Sequence, residues 1–210
     1  MQATRWWWVR HAPVPDGGRI YGQRDVDCDC SDEAVFTAVA RALPRDAVWL
    51  TSNLARTKQT AAAILSAMRL SLDELHAIPA LAEQNLGDWQ GLDRAEFLAN
   101  RANPHPHWFG PAIERAPNGE SFHELFERVA GAVEALSREY AGRDIVAVSH
   151  GGTIRAALGH AMGLDPESAL AGGVIDNCSI TRIDRADAGW HVAAINWRPW
   201  NPAPAGGQAR

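Results

Sequence analysis

Residues 5–12 read RWWWVRHA, and an apolar run from Trp6 that stops abruptly at Arg10 and His11 restricts the fold more than any other feature of this chain. Aromatic and β-branched residues favour a pleated strand, and an apolar run without polar alternation suits a strand covered on both faces. Such strands belong to parallel sheets flanked by helices. Pro13, Pro15, Gly17 and Gly18 then supply the turn residues that end it. Arg10 and His11 are thus expected where a buried strand emerges into a loop, the edge at which open α/β sheets bind ligands.

Strand and helix signals alternate along the rest of the chain. Val35, Val39 and Leu43 recur at helical spacing behind Ser31 or Asp32 as N-cap, and AVWLTS reads as a second buried strand. A helix follows from Leu54 through Thr60, Ile64 and Met68, with a short strand near 74–78 and a short helix over Asp93 to Asn100. Residues 103–118 carry four prolines and read as an irregular excursion. Phe122, Leu125, Phe126, Val129, Val133, Leu136 and Tyr140 step by three and four, the stripe of a long core-facing helix beginning near Glu120. DIVAVSH is a third strong strand, and GGTIRAALGHAMGL opens a helix directly after it. Strands near 177–183 and 190–195, joined by a short polar turn, are expected to pair antiparallel. The expected architecture is one layered α/β domain over 1–196 with a Pro/Gly-rich tail at 197–210.

Composition excludes several classes of partner. A formal charge of −5 and a pI near 5.9 lack the basic excess of a nucleic-acid or membrane-surface binder. No apolar stretch approaches the ~18 residues of a membrane span, and no signal-peptide pattern is present. Cys28, Cys30 and Cys178 make an odd count without framework spacing, which suits reduced thiols in a cytoplasmic protein. The C-x-C pair has no second pair to complete a zinc site, so no metal and no cofactor is expected.

Three strand ends carry the chemistry. The first ends at Arg10-His11, the second leads into SNLARTKQTA with Arg56 about one turn into a helix, and the third ends at Ser149-His150-Gly151-Gly152. On the carboxyl side of a parallel sheet these converge. Two arginines and two histidines in one crevice repel each other unless an anion binds between them. Phosphate is the natural candidate, since guanidinium forks match its oxygens and the glycines after His150 open a helix N-terminus.

In these pieces the sequence resembles the histidine phosphatase superfamily, in its phosphoglycerate-mutase-like branch. VRHAP, YGQRD, SNLARTKQTA, LAEQNLGDWQG, NGESFHELFERV, VSHGG and NCSITRI occur in the family's order from residue 6 to about 195. The resemblance implies a three-layer α/β/α fold with a mostly parallel central sheet and an antiparallel edge. It implies that His11 is a nucleophile that becomes phosphorylated, that Arg10, Arg56 and His150 hold the phosphoryl group, and that Glu83 protonates the leaving oxygen. Gly151 is expected to add a helix-start amide to the phosphate site. The chain departs from the family pattern at Ala12, where glycine is usual, and at Gly17, where an asparagine often contacts phosphate. Gln23 or the backbone of Gly22 is the expected substitute for that contact. DVDCDCSDEA also replaces the usual Pro-Leu-Thr segment after Asp25.

Hydrolysis is expected over mutase activity, because a mutase needs a closed pocket usually built by longer insertions. LAEQNLGDWQG followed by NGESFHELFERV is similar to α-ribazole phosphatases of cobalamin synthesis, which act on a benzimidazole nucleotide. A broad-specificity sugar-phosphate phosphatase and a phosphoglycerate mutase are the alternatives, and a phospho-ligand sensor is the non-enzymatic one. The partner expected is a small-molecule phosphate ester, with a homodimer left open. Trp6, Trp7, Trp8 and Trp49 read as core, Trp89 and Trp108 as pocket-lining, and His105 and His107 as surface or substrate-side residues.

Overall fold

The computed structural model describes residues 2–73 and 75–201. Its sheet is built from β1 (Thr4–Arg10), β2 (Val48–Thr51), β3 (Leu75–Ala77), β4 (Asp144–Ser149), β5 (Ile180–Ala186) and β6 (Gly189–Trp197). The spatial order is β3-β2-β4-β1-β5-β6. The first four strands pair in parallel, whereas β5 runs antiparallel to both β1 and β6, giving the expected antiparallel edge.

Helices cover both faces. On one side α4 (Phe122–Glu139) and α5 (Gly151–Ala161) enclose Trp6, Trp8, Leu50, Ile145 and Ala147. On the other, α1 (Glu33–Ala42) and α2 (Ala55–Met68) pack on Val9, Trp49, Val146 and Val148. The apolar run of β1 is therefore shared out by the pleat. Trp6 and Trp8 stack at 5.0 Å between ring centroids and are wholly buried. Trp7 points the opposite way and is half-buried, because its Nε1 donates to Asp144 and Arg182 lies over its ring at 4.5 Å.

Local signals place the helix ends. Asp32 caps α1 by accepting from the Val35 amide. Ser121 and Glu124 form a reciprocal capping box at the start of α4, and every stripe residue from Phe122 to Leu136 is buried. The ion pair with Arg115 pulls the Glu124 carboxyl down to about 2. A short helix α3 (Arg94–Ala99) follows its Asp93 cap, and 103–118 is irregular, both as expected. Two 3-10 turns, at Pro79–Leu81 and Gly87–Trp89, and the five-residue α6 (Pro166–Leu170) are additions, too short to leave a periodic signal. The C-terminal strand runs through Trp197, and Trp200 packs on the α1–α2 side. Residues 202–210, most of the expected tail, lie outside the described residues. Among the described residues no helix is long and apolar enough to cross a membrane.

Candidate active site

The parallel register brings three strand ends together. Arg10 lies opposite Ser149, and Thr51 lies opposite Val148. One residue further on, the His11 amide donates to the Ser149 carbonyl at 2.9 Å, so His11 leaves the sheet beside His150. Their rings are 5.3 Å apart and both are essentially inaccessible. The Nδ1 of His11 lies 2.7 Å from the Ala12 carbonyl. A carbonyl only accepts, so Nδ1 carries the hydrogen and Nε2 keeps its lone pair. Asn177 fixes the backbone from the other side by donating to the His11 carbonyl at 2.7 Å.

Ala12 fits without strain. Among the described residues the non-glycine positive-φ positions are Arg69, Asn118, Cys178 and Asn196, so position 12 makes no call on glycine's freedom. Its amide donates to Thr60 Oγ1 at 2.8 Å and its methyl joins the core against α2. Gly17 lies in an exposed turn with φ +65° and open space around it.

Arg56 is aimed by the loop ahead of α1. Asp25 accepts from the Ala55 amide at 2.6 Å and so caps α2. The guanidinium one residue later donates to the carbonyls of Gly22 (2.7 Å) and Arg24 (3.0 Å) and lies 4.9 Å from the Tyr21 ring centroid. Gly22, at φ +48°, is confined to glycine because a side chain would also run into Gln90. Gln23 is spent elsewhere: its amide donates to Gln90 Oε1 and its side chain to the Glu83 carbonyl. Gly22 and Gln23 thus orient Arg56 and the Glu83 loop.

His150 hangs from Ser52, whose Oγ lies 2.8 Å from Nε2 and 3.0 Å from Thr57 Oγ1. Its Nδ1 is buried without a protein partner, as are the Nε atoms of Arg10 and Arg56. Three of the seven such atoms among the described residues therefore belong to this one constellation. Orphaned polar atoms are rare in folded proteins, and their concentration here marks a ligand site. Burial is the main force that pushes both histidines well below the usual imidazole range, with Arg56 and Arg10 adding repulsion. Both rings are thereby held neutral, and a neutral His11 is a competent nucleophile.

Glu83 enters over the start of α5. It is 8% exposed, and its carboxylate accepts from the amides of Gln84 (2.9 Å) and Gly152 (3.2 Å). The helix-start amide that meets Glu83 is that of Gly152, while Gly151, expected at the phosphate, adjoins Arg10. A cavity of about 310 Å³ opens here, lined by Arg10, Gly22, Glu83 and Gly151 and by Tyr21, Trp108 and Phe109. His105 and His107 line it as well, which places them on the substrate side. Trp89 lies outside it, packed on Phe97 and under Arg101. Cys28 and Cys30 lie apart from the cavity, with Sγ atoms 3.6 Å from each other. Sequence reasoning did not single out Ser52, Gly152, Asn177 or Arg155 as site residues, although the first three fall inside motifs that carried the resemblance.

A lone-pair-bearing imidazole, convergent guanidinium and imidazole donors, and a carboxyl group gathered at one end of the parallel strands are the parts that phosphoryl transfer needs. The sequence profile of the histidine phosphatase superfamily (branch 1) matches residues 6–198. A metal-independent phosphoserine phosphatase of Arabidopsis thaliana is 29% identical over 88% of this chain and 77% of its own length. A glucosyl-3-phosphoglycerate phosphatase of Mycolicibacterium vanbaalenii is 30% identical over 96% of each chain. The solved structure of the α-ribazole phosphatase of Shigella flexneri superposes with a TM-score of 0.76 at 24% identity, covering 93% of this chain and 97% of that one.

Proposed function

Because the chain belongs to the histidine phosphatase superfamily, branch 1, and is a phosphatase with a histidine nucleophile, we propose that His11 is that nucleophile in a metal-independent phosphomonoesterase. In the first step, with Glu83 in its carboxylic acid form, His11 Nε2 attacks the phosphorus while the ester oxygen leaves and takes the proton of that acid. In the second, water attacks the phosphohistidine, gives its proton back to Glu83 and releases phosphate and neutral His11. Arg10, Arg56 and His150 hold the equatorial oxygens, and their fixed positive charge and donors stabilise the spreading negative charge of the transition state. Gly151 lies at the edge of that group and Gly22 acts through Arg56. The observation that carries the proposal is the shared orphaning of Arg10 Nε, Arg56 Nε and His150 Nδ1 around a histidine whose Nε2 is left unprotonated.

The substrate is a small phosphate monoester. α-Ribazole 5′-phosphate, expected from the sequence, has the aromatic wall of Tyr21, Trp108 and Phe109 in its favour. The cations of the same cavity favour an ester with further negative charge. Transfer to a second hydroxyl, the mutase outcome, shares the first step and differs in how long the phosphohistidine is kept from water. Phosphate release in excess EDTA from p-nitrophenyl phosphate, α-ribazole 5′-phosphate and 3-phosphoglycerate tests the proposal. Turnover of at least one ester is expected, with phosphate as product. Turnover that vanishes with EDTA, or conversion of 3-phosphoglycerate to its 2-isomer without phosphate release, would overturn it.

A further inference from the structure

All three cysteines are free, and two of them face each other behind the residues that hold Arg56. Cys28 and Cys30 are alternate residues of the loop ahead of α1, and their Sγ atoms are 3.6 Å apart. Both are half-buried between exposed Asp27 and Asp29, and Cys30 opens onto a hollow of about 310 Å³ between α1 and α2. Cys178 is buried. Among the described residues no group of three metal-ligating side chains forms, so the pair stands as a dithiol.

The dithiol is fastened to the phosphate site on two sides. Cys28 Sγ donates to the Arg56 carbonyl at 3.3 Å and lies 3.5 Å from Thr60 Oγ1. Thr60 donates to the same carbonyl at 2.7 Å and accepts from the amide of Ala12, next to His11. The Cys28 amide donates to Gln59 Oε1 at 3.0 Å. Between the two cysteines, the Asp29 amide donates to the Pro13 carbonyl at 2.7 Å. Movement of the pair therefore reaches both the first turn of α2, which carries Arg56, and the loop that leaves His11. Because Cys28 gives its hydrogen to a carbonyl, Cys30 is the donor between the sulfurs. Burial and this hydrogen bond push the Cys30 thiol up to about 12, while the Arg56 guanidinium attracts a charge on Cys28. Cys28 is thus placed to attack and Cys30 to resolve.

We propose that Cys28 and Cys30 are a redox site, which a hydroperoxide converts to an intrachain disulfide that lowers phosphatase turnover by displacing Arg56. The Cys28 sulfur attacks one peroxide oxygen, the O–O bond breaks, and the thiol proton leaves with the other oxygen as water, giving a sulfenic acid. The Cys30 sulfur then attacks the Cys28 sulfur, its own proton leaves with the hydroxyl as a second water, and the S–S bond forms. Two electrons pass from the thiols to the peroxide. A bond of about 2.05 Å draws the sulfurs together by about 1.5 Å and takes the Cys28 hydrogen from the Arg56 carbonyl. The chemistry stands apart from the phosphomonoesterase reading, and only the turnover readout rests on it.

Exposure of the full chain to hydrogen peroxide, with free glutathione oxidised alongside as a standard, tests the site. Mass spectrometry after alkylation should show the three alkylatable thiols of the wild type reduced to one, with the cross-link in the peptide holding Cys28 and Cys30. Turnover of p-nitrophenyl phosphate should fall by about 10-fold or more in step with the cross-linked fraction, since a shift of about 1 Å in a positioning group costs up to about 10²-fold. Dithiothreitol should restore both. Cys30→Ser, which keeps a donor toward Cys28, should hold its reduced turnover within about 2-fold of wild type and stop at a sulfenic acid on Cys28, trapped by dimedone. Three thiols remaining once the glutathione standard is oxidised, a cross-link that includes Cys178, or turnover that fails to follow the Cys28–Cys30 cross-link would overturn the proposal. Hydrolysis of p-nitrophenyl phosphate by the reduced enzyme keeps the phosphatase reading standing in those cases. Should no ester be hydrolysed, that reading fails, and calorimetric binding of inorganic phosphate, expected to weaken by about 10-fold on oxidation, replaces turnover as the measure.

Discussion

Strand β1 carries an arginine at each end of its pairing with β4, and the two ends are treated in opposite ways. At the amino end Arg5 lies opposite Asp144, which takes both Nε, at 2.7 Å, and Nη2 of its guanidinium and also accepts from Trp7 Nε1. Its charge is cancelled within the fold. Five residues along, Arg10 lies opposite Ser149, bonds one carbonyl, and leaves Nε buried and unpartnered beside two neutral histidines. The difference teaches where the fold spends its charges. Where a carboxylate answers the arginine the group serves the fold, and where none does the group waits for a ligand's negative charge.

Substitutions at the two ends should therefore separate activity from stability. The largest effect is expected at the acid. Glu83→Gln should lower kcat on alkyl phosphates by about 10²–10⁴-fold and far less on p-nitrophenyl phosphate, whose leaving group needs no proton. Equal losses on both would break the assignment of Glu83. Arg10→Ala should lower kcat by about 10²–10³-fold while urea unfolding stays near wild type, since it removes a repulsive cation rather than a satisfied pair. A large loss of stability there would erase the contrast with Arg5.

Acid should weaken the fold at the functional end. His11 and His150 stay neutral when folded but take up protons around pH 6.5 when unfolded, so the unfolded state binds more protons as pH falls. Stability then declines below about pH 6.5, by up to about 1.4 kcal/mol per pH unit for each histidine. Urea midpoints at pH 7.5 and 5.5 should show the drop, and His150→Asn should flatten it; an unchanged slope in that variant would contradict the electrostatic picture. Arg5→Ala is the smallest change. Its pair is part-exposed, so about 1 kcal/mol of stability and unchanged kcat are expected.

What the sequence disclosed depends on whether a signal is local. Strand β1, the stripe of α4 and the order of the motifs are written in consecutive or periodic residues, and so the fold and the group of His11, Arg10, Arg56, His150 and Glu83 were legible. Roles set by the meeting of distant loops were not. Gln23 is tied to Gln90 and to the Glu83 carbonyl, which lie 60 or more positions away. That the Gly152 amide holds Glu83 is decided by how far the Glu83 loop reaches over α5. Trp89 and Trp108 look alike in sequence, yet Trp108 is drawn into the cavity wall by Gln84 and Arg155 while Trp89 packs under Arg101. Arg155 itself was silent, because an arginine on a helix reads as a solvated charge until its surroundings are seen.

The central claim is that a neutral, buried His11 accepts the phosphoryl group. Rapid quench of the enzyme with p-nitrophenyl phosphate at high pH, where phosphohistidine survives, followed by peptide mass spectrometry, tests it most directly. The account predicts one phosphoryl group on the peptide that contains His11, lost on brief acid treatment and absent from His11→Ala. Turnover by the wild type with His11 unmodified throughout, or undiminished turnover by His11→Ala, would contradict it.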